Sequence, residues 1–152
     1  MFQRTANYCV PARNGKVDPE RVKARKADYD GIVKRIRESG FGMEHYFIPK
    51  SALEATPEER ERVFDQLWDQ GGFAFPLANY QDILFSEEAN DLISDYLKRK
   101  IRQAVKDPVV AEKLVPRGHP YATKRPPLDT NYYETFNKDN VLLVDANIDG
   151  AI

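Results

Sequence analysis

The feature that most constrains the fold is a stripe of apolar residues at helical spacing, which begins just after Ser86. Ser86 is suited to cap a helix, and Glu87 and Glu88 would lie beside the positive end of the helix dipole. The stripe consists of Ala89, Leu92, Ile93, Tyr96, Leu97, Ile101, Ala104 and Val105. It predicts an amphipathic helix of about five turns that packs against other elements along its whole length.

Three shorter helices are predicted, each from a capping side chain followed by proline at the first helical position. They begin at Asp18-Pro19, Thr56-Pro57 and Asp107-Pro108, and they are expected to end at Gly40, at Gly71-Gly72 and before Pro116, respectively. The intervening segments 41–50 and 73–80 are rich in aromatic residues and proline, which favours loops.

Strand signals are few. Residues 141–144 form an apolar run typical of a parallel strand covered on both faces, and residues 2–5 have the character of a strand end. Together with the helices, this pattern predicts a predominantly α-helical α+β fold with one or two short strands at its ends. We expect one unit over residues 1–152, with a helical segment at about 17–115 and a loop and strand at about 117–145.

Composition narrows the class of protein. A chain of 152 residues with 41% hydrophobic and 31% charged residues can bury a core, and it contains no apolar run long enough for a membrane span. The net charge of -1 gives no general attraction to nucleic acid or to an anionic membrane. Cys9 is the single cysteine and cannot form an internal disulfide, which is consistent with the reducing cytoplasm.

Residues 123–140 carry the strongest indication of chemistry. Lys124 and Arg125 are followed by a proline pair that stiffens the backbone, then by Tyr132-Tyr133 and Phe136. Cations fixed beside aromatic rings suit the phosphate of a nucleotide. From the residues alone, a solvated pair of charges on a loop is an equal alternative.

The same stretch resembles a known family. Residues 123–137 are similar to the central, NADP-domain segment of the Baeyer–Villiger monooxygenases of the cyclohexanone and phenylacetone monooxygenase type. Residues 2–5 with 10–14, and residues 106–114, resemble other stretches of the same segment. Order and spacing agree over about residues 2–145. The resemblance implies an enzyme that uses FAD and NADPH to insert one oxygen atom of O2 into a ketone through a flavin peroxide.

The resemblance also implies roles for individual residues. Arg4, Thr5 and Lys124 match positions that hold the 2′-phosphate of NADP, for which guanidinium, hydroxyl and ammonium groups are suitable donors. Arg125 matches the active-site arginine, whose permanent charge would stabilise negative charge on the reacting oxygens. Without the resemblance, an arginine that bonds a carboxylate at a strand end would be the favoured interpretation of Arg4.

The chain contains no G-x-G-x-x-G loop, although the resemblance implies one such loop for FAD and one for NADP. We therefore expect an interior piece of a monooxygenase that retains no cofactor by itself and needs flanking regions for catalysis. The alternative is a helical binding or oligomerisation module without chemistry, and exposed apolar surface would favour self-association. His45 and His119 lack partners at metal-ligand spacing, so no metal is expected.

Overall fold

The computed structural model describes residues 3–145, in which helices surround one long central helix. The helices are α1 (Pro19–Ala27), α2 (Tyr29–Glu38), α3 (Pro57–Gln70), α4 (Ala74–Leu77), α5 (Glu87–Ala104), α6 (Pro108–Leu114) and α7 (Tyr132–Thr135), with a 3-10 turn at Gln81–Leu84 before α5. Two short strands, β1 (Val10–Pro11) and β2 (Leu128–Asp129), complete the fold. The predicted helical α+β class is confirmed.

The central helix α5 begins at its predicted cap, where Ser86 Oγ accepts a hydrogen bond from the amide of Ala89 over 3.3 Å. Its apolar stripe is buried against α3, α4 and the 3-10 turn. Edge-on and tilted ring contacts link Tyr96 of α5 to Phe64 and Trp68 of α3, and such pairs add to the energy of burial. This aromatic core fixes α3 across α5.

A second buried cluster covers the C-terminal half of α5. Ile101 and Val105 pack there with Leu114 of α6, Tyr133 of α7 and Cys9 just before β1. Residues from both ends of the chain therefore meet on one face of α5, and this contact brings the two strands together.

The strands form a parallel pair, in which Val10 lies opposite Leu128 and Pro11 opposite Asp129. Both positions differ from the prediction. Residues 3–5 form a bend, Phe2 lies outside the described residues, and residues 141–144 have no ladder partner within residues 3–145. An apolar run becomes a strand only where another strand satisfies its backbone groups, and Leu142 is instead 84% exposed.

The helix predicted from Asp18-Pro19 to Gly40 is wrong in its middle, because α1 ends and α2 begins at Asp28. The Asp28 carboxylate accepts a hydrogen bond from Arg35 Nη2 over 2.6 Å and makes no capping bond to a backbone amide. Aspartate has a low intrinsic preference for a helix interior. Among the described side chains of α1 and α2, only Ile32 is buried. With so little tertiary packing, the local preference of Asp28 decides the backbone.

The segment predicted as a loop at 73–80 contains the short helix α4, which places Phe75 fully inside the aromatic core. The caps predicted at Thr56 and Asp107 are present as hydrogen bonds to the amides of Glu59 and Val109. No helix within residues 3–145 has the length and apolar character needed to cross a membrane.

Candidate functional site

The structure brings together the two segments that the sequence singles out. Because β1 and β2 are parallel, the residues that precede them lie at the same edge of the pair. Arg4 and Thr5 precede β1, and Lys124 and Arg125 precede β2. The side chain of Asn7 joins the segments by donating from Nδ2 to the carbonyl oxygen of Arg125 over 3.1 Å.

The predicted cations at this edge are exposed, and within residues 3–145 they have no carboxylate partner. Neither Arg4, Lys124 nor Arg125 forms an ion pair with any residue of the described part of the chain, so the carboxylate partner considered for Arg4 is not found there. By contrast, cations on α5 are paired: Arg99 with Glu61 at 2.6 Å and Lys100 with Asp65 at 2.8 Å. The edge therefore presents positive charge that an anionic ligand can use.

A cleft of about 580 Å³ opens between the two segments, a volume typical of small-molecule and cofactor sites. Successive side chains of an extended segment alternate in direction, and in the first segment every second residue, from Gln3 to Cys9, lines this cleft. Its lining residues are Gln3, Thr5, Asn7, Cys9, Pro127, Leu128, Asp129, Thr130 and Tyr132. Of the four predicted site residues, only Thr5 lines the cleft, whereas Arg4, Lys124 and Arg125 lie outside its wall.

The loop with Lys124 and Arg125 is held at both ends. At its beginning, the buried side chain of Asn90 bonds both backbone groups of Tyr121. At its end, Val10 donates its amide to the carbonyl of Pro127 over 3.0 Å. Sequence reasoning missed Asn90. The available signal is that Asn90 and Ser94 are polar residues four apart beside the apolar stripe of α5.

The backbone of Asn7 and Cys9, just before β1, is held by the hydroxyl of Tyr133. This oxygen accepts a hydrogen bond from the amide of Cys9 over 3.2 Å and donates one to the carbonyl of Asn7 over 3.1 Å. Burial raises the pKa of the Tyr133 phenol, so the phenol keeps its proton and can make both bonds. Tyr133 is thus a structural residue under the cleft.

Cys9 and Asp129 are titratable groups in the cleft wall, as is Tyr132, whose pKa is raised by burial. Burial raises the pKa of Cys9 to about 11, although the hydrogen bond with Tyr133 opposes the shift, so the thiol stays neutral and unreactive near pH 7. Burial also raises the pKa of the Asp129 carboxyl. The Asp129 carboxylate accepts a hydrogen bond from the amide of Tyr132. This turn contact lies at the first residue of α7.

No three histidine, cysteine, aspartate or glutamate side chains within residues 3–145 are grouped so that they could hold a metal ion. His119 contacts Tyr8 edge-on, with ring centroids 5.5 Å apart, and its Nε2 lies 3.4 Å from Asn7 Oδ1. These contacts support the segment that contains Asn7.

The fold and the site define a mainly helical α+β segment with an unpaired cationic edge beside a cofactor-sized cleft. No protein-family model matches the chain. The sequence is 47% identical to a Baeyer-Villiger monooxygenase of Pseudooceanicola batsensis over 98% of the chain. It is 39% identical to 2-oxo-Delta(3)-4,5,5-trimethylcyclopentenylacetyl-CoA monooxygenase of Pseudomonas putida over 95% of the chain.

The solved structure of an oxidized steroid monooxygenase bound to NADP matches 96% of the chain with a TM-score of 0.91 and 44% identity, and the chain covers 28% of that structure. The chain spans about 27% of the length of the two curated relatives. It is therefore a homologue of one segment of the Baeyer–Villiger monooxygenases.

Proposed function

We propose that this chain is the NADP-side segment of an FAD- and NADPH-dependent Baeyer–Villiger monooxygenase that inserts one oxygen atom of O2 into a ketone. The observation that carries this proposal is the hydrogen bond of Asn7 to the Arg125 carbonyl, which joins the segment after Arg4 to the segment of Lys124 and Arg125, together with the lack of carboxylate partners for these three cations in the described chain. Unpaired cations in a chain 39% to 47% identical to monooxygenases are best explained by an anionic cofactor.

Arg4, Thr5 and Lys124 would hold the 2′-phosphate of NADPH. A guanidinium group donates two parallel hydrogen bonds to phosphate oxygens, a hydroxyl donates one more, and an ammonium group adds a mobile charge. The residues present fit this task, because both cations are exposed and Thr5 lines the cleft. They would favour NADPH over NADH, which lacks that phosphate.

Arg125 would act electrostatically on the reacting oxygen atoms. FAD, when bound, supplies the activation of O2. The guanidinium of Arg125 keeps its charge at any working pH, and it would stabilise the negative charge that develops on oxygen when the ketone is attacked. The Asn7 bond to the Arg125 carbonyl fixes the backbone while it leaves the guanidinium free to reach its target.

The proposal includes two limits on this chain. The 152 residues contain no G-x-G-x-x-G loop, so we expect no turnover from them alone. The single cysteine, Cys9, is consistent with the reducing cytoplasm, where we place the whole enzyme. A second candidate is a helical binding or oligomerisation module without chemistry. Exposed apolar side chains favour it, notably Val17, Tyr29 and Leu142, which are 69%, 66% and 84% exposed.

A segment exchange tests the proposal. Residues 2–145 would replace the matching part of the cyclopentanone 1,2-monooxygenase of Comamonas, which is 40% identical to this chain. We expect the exchanged enzyme to form ester with NADPH, and we expect Arg125→Ala to lower this rate by about 10² to 10³. Arg21→Ala, which removes an exposed cation on α1, is the matched control and should leave the rate unchanged.

Other results would contradict the proposal. Ester formation that is unaffected by Arg125→Ala would exclude the proposed role of this arginine. A folded, flavin-bound exchanged enzyme without any ketone-dependent NADPH oxidation would favour the non-catalytic module, and concentration-dependent self-association of the 152-residue chain on gel filtration would strengthen that alternative.

A further inference from the structure

Asn90 of α5 makes an unusual set of hydrogen bonds for a side chain in an aromatic core. It is only 5% exposed. Its Oδ1 accepts from the amide of Tyr121 over 2.9 Å, and its Nδ2 donates to the carbonyl of the same residue over 3.0 Å. Nδ2 also donates to the carbonyl of Ile83 over 2.7 Å. The amide group thus bridges three separate parts of the chain.

Ser94, one turn further along α5, completes this network. Its hydroxyl donates to Asn90 Oδ1 over 3.0 Å and accepts from the amide of Tyr121 over 3.2 Å. The ring of Tyr121 is itself packed edge-on against Phe75 and Tyr8. The buried hydroxyl of Tyr121 has no hydrogen-bond partner within the described residues. The side chains of Asn90 and Ser94 are paired with the Tyr121 backbone, however, and paired buried polar groups of this kind rigidify what they contact.

The backbone immediately after Tyr121 adopts a conformation that local preference does not provide. Ala122 has φ 66°, in the left-handed region that residues other than glycine rarely occupy. Such a conformation persists only where the surrounding structure imposes it. Lys124 and Arg125 follow directly, and the Arg125 carbonyl is then held by Asn7. The cations lie on a short span between two fixed points.

We propose that Asn90 is a positioning residue for the cationic loop: through Tyr121 it sets the path of the backbone that presents Lys124 and Arg125. It acts without touching either cation. The loop's use in cofactor binding rests on the proposed function above, whereas the control of the loop by Asn90 does not. An apolar residue at this position would fill the stripe of α5 equally well but would release Tyr121.

The test compares two buried asparagines in the 152-residue chain. Asn79 is fully buried and bonds the carbonyl of Phe75 and the amide of Tyr80. It makes no hydrogen bond to residues 121–125 within the described chain, so its substitution loses a comparable buried amide without releasing the Tyr121 backbone. We expect Asn90→Ala to lower the amide order parameters of Lys124 and Arg125 from about 0.85 to below about 0.6, measured by nitrogen-15 relaxation. Asn79→Ala should lower the melting temperature without changing these order parameters.

A second readout concerns the cofactor. NADP titrated by calorimetry into the segment-exchanged enzyme, at a temperature where both variants are folded, should bind about tenfold more weakly to Asn90→Ala than to Asn79→Ala. If the exchanged enzyme without either substitution binds no NADP, the proposed cofactor role fails, but the order parameters measured in the 152-residue chain still decide whether Asn90 controls the loop.

A milder variant covers the case in which Asn90→Ala does not fold. Ser94→Ala removes one hydrogen bond to Tyr121 and leaves the bonds of Asn90 to that residue. It should mobilise Lys124 and Arg125 in the same direction but by less. Order parameters at the loop that are the same in Ser94→Ala, Asn79→Ala and the unmodified chain would overturn the proposal.

Discussion

Asn7 and Arg125 are 118 positions apart in the chain, yet the side-chain Nδ2 of Asn7 lies 3.1 Å from the backbone oxygen of Arg125. The bond uses the main chain of Arg125 and leaves its guanidinium free. It therefore fixes the alignment of two chain segments without neutralising the charge that they present.

Asn7→Ala should loosen the alignment and weaken cofactor binding. The substitution removes the bond to the Arg125 carbonyl and also the bonds of Asn7 Oδ1 with the amide of Tyr8 and with His119. The loss of one such hydrogen bond costs about 1 kcal/mol, or roughly a fivefold change in affinity. In the segment-exchanged enzyme, we expect the KM for NADPH to rise by about that factor. Asn140→Ala, at an exposed turn position, is the control, and an equal change in both variants would contradict the prediction.

Arg4→Ala and Lys124→Ala should each reduce the preference for NADPH over NADH. A hydrogen bond to a charged group contributes about 1.5 to 3 kcal/mol, so each variant should lose at least about tenfold in this preference. Steady-state kinetics with both cofactors would measure the ratio, with Arg21→Ala as the control. An equal loss with NADPH and NADH would show that the cations do not contact the 2′-phosphate.

Cys9 should resist alkylation in the folded chain. Because burial raises its pKa from the ordinary value of 9.0 to about 11, the thiolate fraction at pH 8 is about a hundredfold lower than for a free thiol. Iodoacetamide should therefore modify the folded chain at least about a hundredfold more slowly than the urea-unfolded chain. Rapid, complete modification of the folded protein would contradict this.

The raised pKa of Cys9 also makes the free energy of unfolding depend on pH. Since the folded state holds the Cys9 proton more tightly than the unfolded state, the stabilising contribution is full below about pH 9 and is lost as pH rises through about 11. Urea titrations of the 152-residue chain and of Cys9→Ala should converge across this window. A difference between the two that stays constant with pH would contradict the assignment.

Gly71→Ala should destabilise the chain more than Gly72→Ala. Both glycines have positive φ, at 67° and 60°, and alanine there costs about 1 to 2 kcal/mol. A Cβ on Gly71 would also lie 2.5 Å from the carbonyl oxygen of Pro11 in β1, whereas the space around Gly72 is open. We expect the melting temperature to fall several degrees further for Gly71→Ala, and equal losses would exclude the clash.

Local sequence accounts for much of the helical structure. Thr56, Ser86 and Asp107 cap the helices that they were predicted to cap, because a capping side chain needs only the amides of the next turn. The break at Asp28 was missed, since the apolar spacing across it suits one continuous helix. None of the described side chains of α1 is buried, so tertiary packing does not hold the helix continuous through Asp28.

The sequence by itself determined the helical class, the caps, and the identity of the residues that resemble a cofactor-binding motif. The tertiary structure decided where the strands pair, that the side chain of Asn7 meets the backbone of Arg125, and that Asn90 holds Tyr121 in place. The physical reason is distance along the chain. A helix closes its hydrogen bonds within four residues, whereas strand pairing and buried polar contacts depend on partners that only folding brings together.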